Sequence, residues 1–304
     1  MKISYSAPAK VILSGEHAVV YGKPALVSTI DLRLKFSIWK EAAKTTDRDI
    51  LFISQKVKNY LTKEKKGFIN IPFNFKIESD IPIGRGLGSS AALSVASSAA
   101  FLEFYTGQVF DKVIVNNLAY EIEKKFHKNP SGVDNSTVCK GGLIMYKKNI
   151  SLEKLNYRIT KNIEKNLLLI DSGKPKETTG EMVKLVKSVG SVKSVKIILN
   201  QIEIETKKIL GAIEKENVDQ FRNSVVANEK LLEDLGVVSD ETIKLLNDLS
   251  KFGVGKVTGA GGKKTGSGFI LFYAEDRQKL IKYLNIKKII FYKFIPDNIG
   301  LTRP

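Results

Sequence analysis

The sequence feature that most constrains the fold is a glycine-rich loop that leads directly into a run of small residues. Three glycines alternate with other residues in the segment 82–92, which reads PIGRGLGSSAA. Glycine permits positive φ angles and close approach of the backbone to a ligand, and the unpaired N–H groups at the start of a helix bind anions. The segment therefore predicts a phosphate-binding loop at the N-terminus of a helix.

This loop differs from the two common nucleotide-binding glycine motifs. A Walker A loop ends in lysine followed by serine or threonine, whereas Gly88 is followed by Ser89 and Ser90. A dinucleotide-binding loop has two residues between its second and third glycines, whereas only Leu87 separates Gly86 from Gly88. Glycines alone also fit a flexible loop before a helix, but the two serines at the helix start favour the phosphate-binding interpretation.

The order of apolar and polar residues predicts an α+β chain, with strands concentrated before residue 150 and helices after residue 175. The segment 128–142 is expected to be a turn-rich connection. Strands are predicted at 2–6, 11–13, 25–30, 32–38, 73–77, 143–146, 167–170, 256–258, 268–272 and 288–294. Helices are predicted at 47–65, 89–105, 111–127 and 277–284, and between 175 and 251 with breaks at Gly190, Gly211, Gly236 and Ser239.

Composition excludes several classes of protein. With 43% apolar and 27% charged residues, the 304-residue chain is typical of a soluble globular protein long enough for two domains. The single cysteine, Cys139, allows no intrachain disulfide, and His17 and His127 are too far apart in sequence for a clustered ligand set. No segment approaches the roughly 20 apolar residues of a membrane span, and no cleavable leader follows Met1. We therefore expect a cytoplasmic enzyme without a catalytic transition metal or a membrane partner.

The excess of basic residues gives a formal net charge of +17 and a pI near 9.6. Such a charge can attract nucleic acid, membrane phosphates or anionic metabolites. The surplus is mostly lysine and is scattered along most of the predicted helices, which is typical of a solvated surface. We expect no nucleic acid partner.

Three segments together resemble the motifs of the GHMP kinases, the superfamily of galactokinase, homoserine kinase, mevalonate kinase and phosphomevalonate kinase. The glycine-rich loop is similar to their nucleotide-binding motif. Residues 7–24, APAKVILSGEHAVVYGKP, resemble their N-terminal substrate motif, and residues 258–262, TGAGG, resemble their third motif. Three matches in the order of the family are much harder to obtain by chance than one.

Two segments resemble the mevalonate kinases within this superfamily. Residues 15–22, GEHAVVYG, and residues 123–135, EKKFHKNPSGVDN, are similar to the versions found there. In that family a glutamate and an aspartate stand eleven residues apart, as Glu123 and Asp134 do, and the aspartate lies beside the lysine matched by Lys10. A homoserine kinase would be expected to lack the aspartate. The resemblance implies ATP-dependent phosphorylation of the 5-hydroxyl of (R)-mevalonate, a reaction of isoprenoid biosynthesis.

The resemblance also implies a fold and an assembly. The expected architecture is the α+β GHMP kinase fold, with an N-terminal domain related to ribosomal protein S5 domain 2 at residues 1–160 and a ferredoxin-like domain at residues 161–304. The active site would lie between them, and a homodimer is expected from the family. Two alternatives stay open: another GHMP kinase that acts on phosphomevalonate or a sugar, and a catalytically silent ligand sensor on the same fold. An enzyme is favoured by the joint presence of Lys10, Ser90, Glu123 and Asp134.

A kinase site needs a cation between the ATP phosphates, hydrogen-bond donors around them and a group that orients the attacking hydroxyl. By resemblance, Ser90 and Glu123 would hold Mg²⁺, which keeps several of its waters. Asp134 would accept the proton of the mevalonate hydroxyl or align it, and Lys10 would stabilise charge on the γ-phosphate. Without the motifs, an aspartate in a turn more often caps a helix and a glutamate on a charged helix usually faces water.

Further residues are expected to contact the two substrates. Glu16 and His17 are expected to bind mevalonate, although a histidine alone is more often a structural hydrogen-bonding residue, and the role of His127 stays open. In residues 171–179, DSGKPKETT, Thr178 is predicted to reach the substrate, with Thr179 as the close alternative. The residues expected to bind ATP are Pro82, Gly84, Arg85, Gly86, Leu87, Gly88, Ser89 and Ser90, and those of the third-motif loop are Gly259, Ala260, Gly261 and Gly262.

Three positions depart from the family motifs. Arg85 stands where small residues are usual, and it would either donate to ATP or point to solvent. Lys263, Lys264 and Thr265 interrupt a third motif that usually continues with glycine and cysteine, and Lys128 replaces the usual glycine after the histidine. None of these departures removes a residue assigned to chemistry, so the sequence predicts an active kinase.

Overall fold

The computed structural model describes residues 2–42, 45–127, 130–148 and 150–304. Within those ranges, no helix is both long enough and apolar enough to cross a membrane. The strands are β1 (Lys2–Ser14), β2 (Pro24–Lys40), β3 (Phe73–Ser79), β4 (Leu143–Lys147), β5 (Ser151–Lys154), β6 (Leu167–Asp171), β7 (Gly253–Thr258), β8 (Phe269–Ala274) and β9 (Phe291–Lys293). The helices are α1 (Arg48–Lys63), α2 (Ser89–Thr106), α3 (Lys112–Phe126), α4 (Val133–Lys140), α5 (Lys161–Glu164), α6 (Thr179–Ser188), α7 (Val192–Glu214), α8 (Val218–Asp234), α9 (Asp240–Leu249) and α10 (Arg277–Ile286), with short 3-10 turns at Ala18–Tyr21 and Ser250–Phe252.

The first sheet has five antiparallel strands, in which β1, β2, β4 and β5 follow one another and β3 pairs with a separate part of β2. Two pairs of short strands predicted near the N-terminus are continuous as β1 and β2. The pairing of these strands shifts register between Pro8 and Ala9. Such an irregularity lets a strand continue past proline, which cannot donate a ladder hydrogen bond.

The second sheet is also antiparallel, in the order β7-β8-β6-β9. β8 is buried along its whole length, FILFYA, which is typical of a strand covered on both faces. On one face, Leu280 and Leu284 of α10 pack with Ile270 and Phe272. The other face of the sheet joins the main core of the molecule.

One hydrophobic core spans the two sheets. It contains Phe36 and Phe101 from the N-terminal half of the chain and Phe221 and Phe269 from the C-terminal half. The last residues return to the first sheet, where Thr302 forms a bridge to β1. The division into domains at residue 160 stays a prediction, because the sheets lie on either side of it while their core is shared.

α2 carries the small residues that follow the glycine-rich loop. It is buried on nearly every side, because alanine and serine let its axis approach β1, β2 and α3 closely. Gly88 precedes it with a φ of 77°, and Gly107 ends it with a φ of 72°. The prediction of a closely packed small-residue helix at this position is confirmed.

Two predictions about local structure are wrong, and two short elements were missed. The segment 128–142, expected to be a turn-rich connection, contains the helix α4, in which Val133, Val138 and Cys139 are buried. Burial stabilises this short helix although its sequence, VDNSTVCK, has low intrinsic helix propensity. Gly211, expected to be a break, lies inside α7, since one glycine costs only about 1 kcal/mol relative to alanine. The short elements β5 and α5 were not predicted, and Lys128 lies outside the described residues.

Candidate active site

A cleft of about 680 Å³ lies where the first motif, the glycine-rich loop and the third motif meet. The backbone N–H of Ile12 donates to Thr258 Oγ1 over 2.9 Å, and that of Lys10 donates to the carbonyl of Leu87 over 3.0 Å. These contacts join three segments that are far apart in sequence. Of the predicted residues, those that line the cleft are Lys10, Glu16, His17, Gly84, Arg85, Gly86, Leu87, Gly88, Ser89, Ser90, Asp134, Thr178, Gly259, Ala260 and Gly261.

The glycine-rich loop needs its glycines for conformation and for close approach. Gly84, Gly86 and Gly88 all have positive φ angles, of 71°, 86° and 77°. A Cβ atom at Gly86 would lie 3.1 Å from the carbonyl oxygen of Thr258, and one at Gly88 would lie 2.9 Å from Cγ of Lys10. Because Gly88 has no side chain to cap α2, the first N–H groups of that helix are available to an anion at the cleft.

Lys10 and Asp134 form an ion pair in the cleft, with Lys10 Nζ 3.1 Å from Asp134 Oδ1. Lys10 belongs to β1 and is only 2% exposed, whereas the Asp134 side chain is 35% exposed. Asp134 lies in the first turn of α4, where the helix dipole favours a negative charge. The unpredicted helix α4 therefore positions the aspartate that the sequence assigned to catalysis.

Ser90 and Glu123, the two predicted metal ligands, lie next to each other. Ser90 Oγ donates to Glu123 Oε2 over 3.2 Å, and Ser94 Oγ donates to Glu123 Oε1 over 2.8 Å. Glu123 is 2% exposed and lies behind Ser90, outside the lining of the cleft. Pro82 and Gly262, which were also predicted, are not among the residues that line the cleft. Burial raises the pKa of Glu123 to about 7, and the negative charge of Asp134 adds to this rise.

These two side chains fit a magnesium ion. A hydroxyl and a carboxylate are hard oxygen donors, and a cation beside Glu123 would stabilise a buried charge that is otherwise unfavourable. In the part of the chain that the structure describes, no cluster of three or more His, Cys, Asp or Glu side chains is placed to hold a metal. Mg²⁺ usually takes one or two carboxylates and completes its shell with water and substrate phosphates.

His127, whose role the sequence left open, lies beside the same two residues. Its Nε2 is 3.2 Å from Ser90 Oγ and 3.8 Å from Glu123 Oε2. Burial lowers the pKa of His127, so the neutral ring is able to accept the Ser90 proton. The hydroxyl of Ser90 thus has two acceptors for its single proton.

Glu16 and His17 form the wall of the cleft where the first motif meets the third. His17 has a left-handed φ of 58°, and its Nε2 donates to the carbonyl of Ala260 over 3.0 Å. Burial lowers the pKa of His17 to about 4, so its ring is neutral at physiological pH. Glu16 is 1% exposed and forms an ion pair with Lys256. His17 therefore has the structural hydrogen bond that the sequence gave as an alternative, and it also lines the cleft.

Comparison with known proteins decides the family. Residues 49–142 match the family described as GHMP kinases N terminal domain. A mevalonate kinase from Archaeoglobus fulgidus is 32% identical to this chain over 84% of the chain and 88% of its own length. The chain belongs to the mevalonate kinase family.

Solved structures agree with this membership. The mevalonate kinase of Methanococcus jannaschii is 26% identical, with a TM-score of 0.78 over 97% of this chain and 98% of its own. A phosphomevalonate kinase from Streptococcus pneumoniae has the same fold, with a TM-score of 0.76 over all of both chains, but only 18% identity. The GHMP kinase fold is therefore shared by enzymes with different acceptors, and sequence similarity places this chain among the mevalonate kinases.

One predicted contact of this mevalonate kinase family member has a clear structural role. Thr178 is the N-cap of α6 and forms a capping box with Glu181, in which Thr178 Oγ1 donates to Glu181 Oε2 over 2.8 Å. Thr179, the close alternative, is the first residue of α6 and also lines the cleft. Because the hydroxyl of Thr178 is engaged in the cap, Thr179 becomes the better candidate for a substrate contact.

Arg85, Lys263 and Lys264, which depart from the family motifs, lie among the described residues. The guanidinium of Arg85 pairs with Asp171 at the end of β6, and the side chain is half-buried in the lining of the cleft. Lys263 and Lys264 are exposed. The backbone around them is held in place, since the N–H of Gly262 donates to the carbonyl of Val237 over 2.9 Å. The third-motif loop therefore keeps a fixed path, and its extra lysines lie outside.

The sequence did not identify three lysines at the site, two that line the cleft and one that is buried behind its wall. Lys174 and Lys176 line the cleft from the segment after β6. The side chain of Lys174 lies over the glycine-rich loop, where a Cβ atom at Gly84 would be 2.9 Å from its Cε. Lys256 lies behind the cleft wall and is fully buried. Nothing in the local pattern separates these from the many surface lysines.

Proposed function

We propose that this chain transfers the γ-phosphoryl group of ATP to the 5-hydroxyl of (R)-mevalonate, which gives ADP and 5-phosphomevalonate for isoprenoid biosynthesis. The observation that carries the proposal is the Lys10–Asp134 ion pair, which opens onto the same cleft as the glycine-rich loop. Membership of the mevalonate kinase family supports the choice of acceptor. A ligand sensor would need no buried lysine paired with a carboxylate at a phosphate site.

The phosphate end of the cleft is built for ATP. The loop 84–88 and the N-terminus of α2 present backbone N–H groups, and the positive end of the helix favours the triphosphate. Phosphoryl transfer proceeds through a loose transition state, so positioning and charge neutralisation supply most of the catalysis. Ser90 and Glu123 would hold Mg²⁺ here, and this ion would neutralise charge on the phosphate oxygens.

Lys10 and Asp134 act on the reacting groups. The Asp134 carboxylate accepts a hydrogen bond from the 5-hydroxyl, orients it towards the γ-phosphorus and takes its proton as the new P–O bond forms. The Lys10 ammonium stabilises negative charge on the transferring phosphoryl oxygens. Their 3.1 Å separation allows both to contact one reacting centre.

The acceptor end of the cleft combines the buried carboxylate of Glu16 with neutral polar groups, and Lys174 and Lys176 also line the cleft. Glu16 and Thr179 offer hydrogen bonds to hydroxyl groups, and the neutral ring of His17 fixes the wall between them. The cation beside Glu16, Lys256, is already engaged in an ion pair.

Three further features are proposed on the family resemblance: a domain boundary near residue 160, a homodimer, and action in the cytoplasm. Light scattering on the purified protein tests the dimer, with a mass of about twice 33.8 kDa as the expected value.

Limited proteolysis tests the domain boundary, with early cleavage between residues 150 and 165 expected. Imaging of a tagged chain in its own cell tests the location, with a diffuse cytoplasmic signal expected.

The acceptor is tested by ADP release with ATP and Mg²⁺, in parallel reactions with mevalonate, 5-phosphomevalonate, homoserine and galactose. Turnover with mevalonate alone is the expected result. Activity with only one of the other acceptors would keep the kinase assignment and replace the substrate. Silence with all four, from a folded protein that binds ATP, would contradict the proposal.

A further inference from the structure

We propose that Lys256 is a positioning residue that holds the carboxylate of Glu16 in place for the acceptor substrate. The inference rests on the proposed function of the cleft, since it needs Glu16 to contact the acceptor. Lys256 Nζ donates to Glu16 Oε1, and both side chains are fully buried. Lys256 itself does not line the cleft, so it acts through Glu16.

The position of Lys256 is defined on several sides. Its Nζ also donates to the carbonyl of Val257 over 2.7 Å, and the N–H of Val257 donates to Glu229 Oε2 over 2.7 Å. Glu229 belongs to α8, which packs against β7. The ammonium group therefore rests on a strand whose backbone is itself anchored, and it offers Glu16 a rigid donor.

Glu16 has one oxygen engaged and one available. Oε1 accepts from Lys256, whereas Oε2 is buried and has no hydrogen-bond partner among the described residues. Leaving a buried charged acceptor unpaired is costly. Glu16 belongs to the wall of the cleft, but its side chain has no exposed surface in this structure. The wall must therefore shift when the substrate binds, so that a hydroxyl of the acceptor reaches Oε2 and satisfies it.

The charges around Glu16 explain why a lysine is needed there. Lys256 approaches it from β7 and Lys10 from β1, while Glu229 adds negative charge from α8 and the neighbouring His17 is neutral. Burial raises the pKa of Glu16, and the ammonium of Lys256 opposes that rise more than any other charge does. Without Lys256, the carboxyl group would take up a proton and lose its fixed orientation.

The test compares steady-state kinetics of the Lys256→Met variant with those of the wild type. Loss of the anchor should raise KM for mevalonate about tenfold or more, because a charged acceptor forms hydrogen bonds roughly twice as strong as a neutral one. KM for ATP should stay within about twofold, since the phosphate end of the cleft keeps its contacts. In the variant, KM for mevalonate should fall as the pH is raised, because Glu16 regains its charge.

Two further variants separate positioning from simple loss of structure. Glu16→Gln and the double variant Glu16→Gln/Lys256→Met should have the same raised KM for mevalonate, without the pH dependence. This comparison holds even if Lys256→Met alone fails to fold, because the double variant removes both members of the buried ion pair. Glu229→Gln is the matched control, since it changes a buried charge on α8, next to the strand that carries Lys256, but keeps an acceptor for the N–H of Val257.

Several outcomes would overturn the inference. One is a Lys256→Met enzyme with the KM of the wild type for mevalonate. A second is a double variant whose KM for mevalonate is higher than that of Glu16→Gln alone. A third is a Lys256→Met enzyme in which KM for ATP rises as much as KM for mevalonate. If the wild type turns over no mevalonate at all, the proposed function fails first, and that result is distinguishable because it needs no variant.

Discussion

At the scale of single residues, the chemistry depends on a carboxylate held beside a buried ammonium group. Replacing Asp134 with asparagine keeps the shape of the side chain but removes the charge that orients and deprotonates the hydroxyl. We expect kcat to fall by about 10²- to 10⁴-fold, the range typical of a lost general base. The affinity for ATP should change little. Steady-state kinetics and ATP titration of Asp134→Asn check this, and a kcat within tenfold of the wild type would remove Asp134 from its assigned role.

A second residue-scale prediction concerns Glu229, which lies away from the proposed metal ligands. Burial raises its pKa to about 7, above the usual glutamate value of 4.5. Because the pKa of Glu229 is higher in the folded than in the unfolded state, its protonation stabilises the fold fully at pH values below the unfolded-state pKa. This contribution is lost as the pH rises through about 7. Glu229→Gln should match the wild type near pH 5 and be more stable near pH 8, by up to roughly 3 kcal/mol. Urea unfolding at the two pH values measures this, and equal pH dependence in both proteins would contradict it.

The residues of the site could be predicted from the sequence where a family motif contains them. Lys10, Ser90, Glu123 and Asp134 were found from ordered motifs. The structure brings the four together, with Lys10, Ser90 and Asp134 in the lining of the cleft and Glu123 behind Ser90. Lys256 could not be found, because one lysine among 49 basic residues carries no local sign of burial. The choice between Thr178 and Thr179 depended on where α6 begins, and the position of a helix start is uncertain from sequence.

At the scale of elements, the short helix α4 controls the position of Asp134. Gly132 precedes it with a φ of 85°, and a Cβ atom there would lie 2.7 Å from Tyr146 Oη. Gly132→Ala should destabilise the fold by about 2 kcal/mol or more, through left-handed strain and the close contact, and it should also lower kcat.

The matched control for that prediction is Gly107→Ala, at the end of α2. Gly107 has a φ of 72°, and a Cβ atom there would meet nothing within 4 Å. The Gly107→Ala variant should lose only about 1 kcal/mol of unfolding free energy and keep its kcat. Thermal unfolding and kinetics of both variants give the comparison, and an equal loss of kcat in the two would contradict the role assigned to α4.

Elements with a clear apolar periodicity or a distinctive composition were predicted well. Elements that depend on burial against the rest of the protein were not. The apolar face of α1 and the small residues of α2 were sufficient to identify both helices. α4 has low helix propensity and is stabilised by the core around it, which a local pattern does not contain. The joining of short strands into β1 likewise depends on pairing with β2.

At the scale of the whole molecule, the two sheets share one core, so we expect them to unfold together. Trp39, in β2, reports on the first sheet. A tryptophan introduced by Tyr283→Trp in a Trp39→Phe background reports on the α10 face of the second sheet. The two fluorescence transitions in urea should share one midpoint, as in a two-state protein. Separate midpoints would show that the halves are independent domains.

The α+β class and the GHMP kinase fold could be predicted from strand and helix order together with three motifs. The shared core could not, because sequence periodicity identifies which face of an element is buried but not which other element covers it. The return of the chain end to β1 is a contact of the same kind.

The most direct test of the account is to identify the product by ³¹P NMR after incubation with ATP, Mg²⁺ and (R)-mevalonate. One new phosphomonoester signal, split into a triplet by the two C5 protons and equal in amount to the ADP formed, is the predicted result. ADP without a new ester, or an ester on another carbon, would contradict transfer to the 5-hydroxyl.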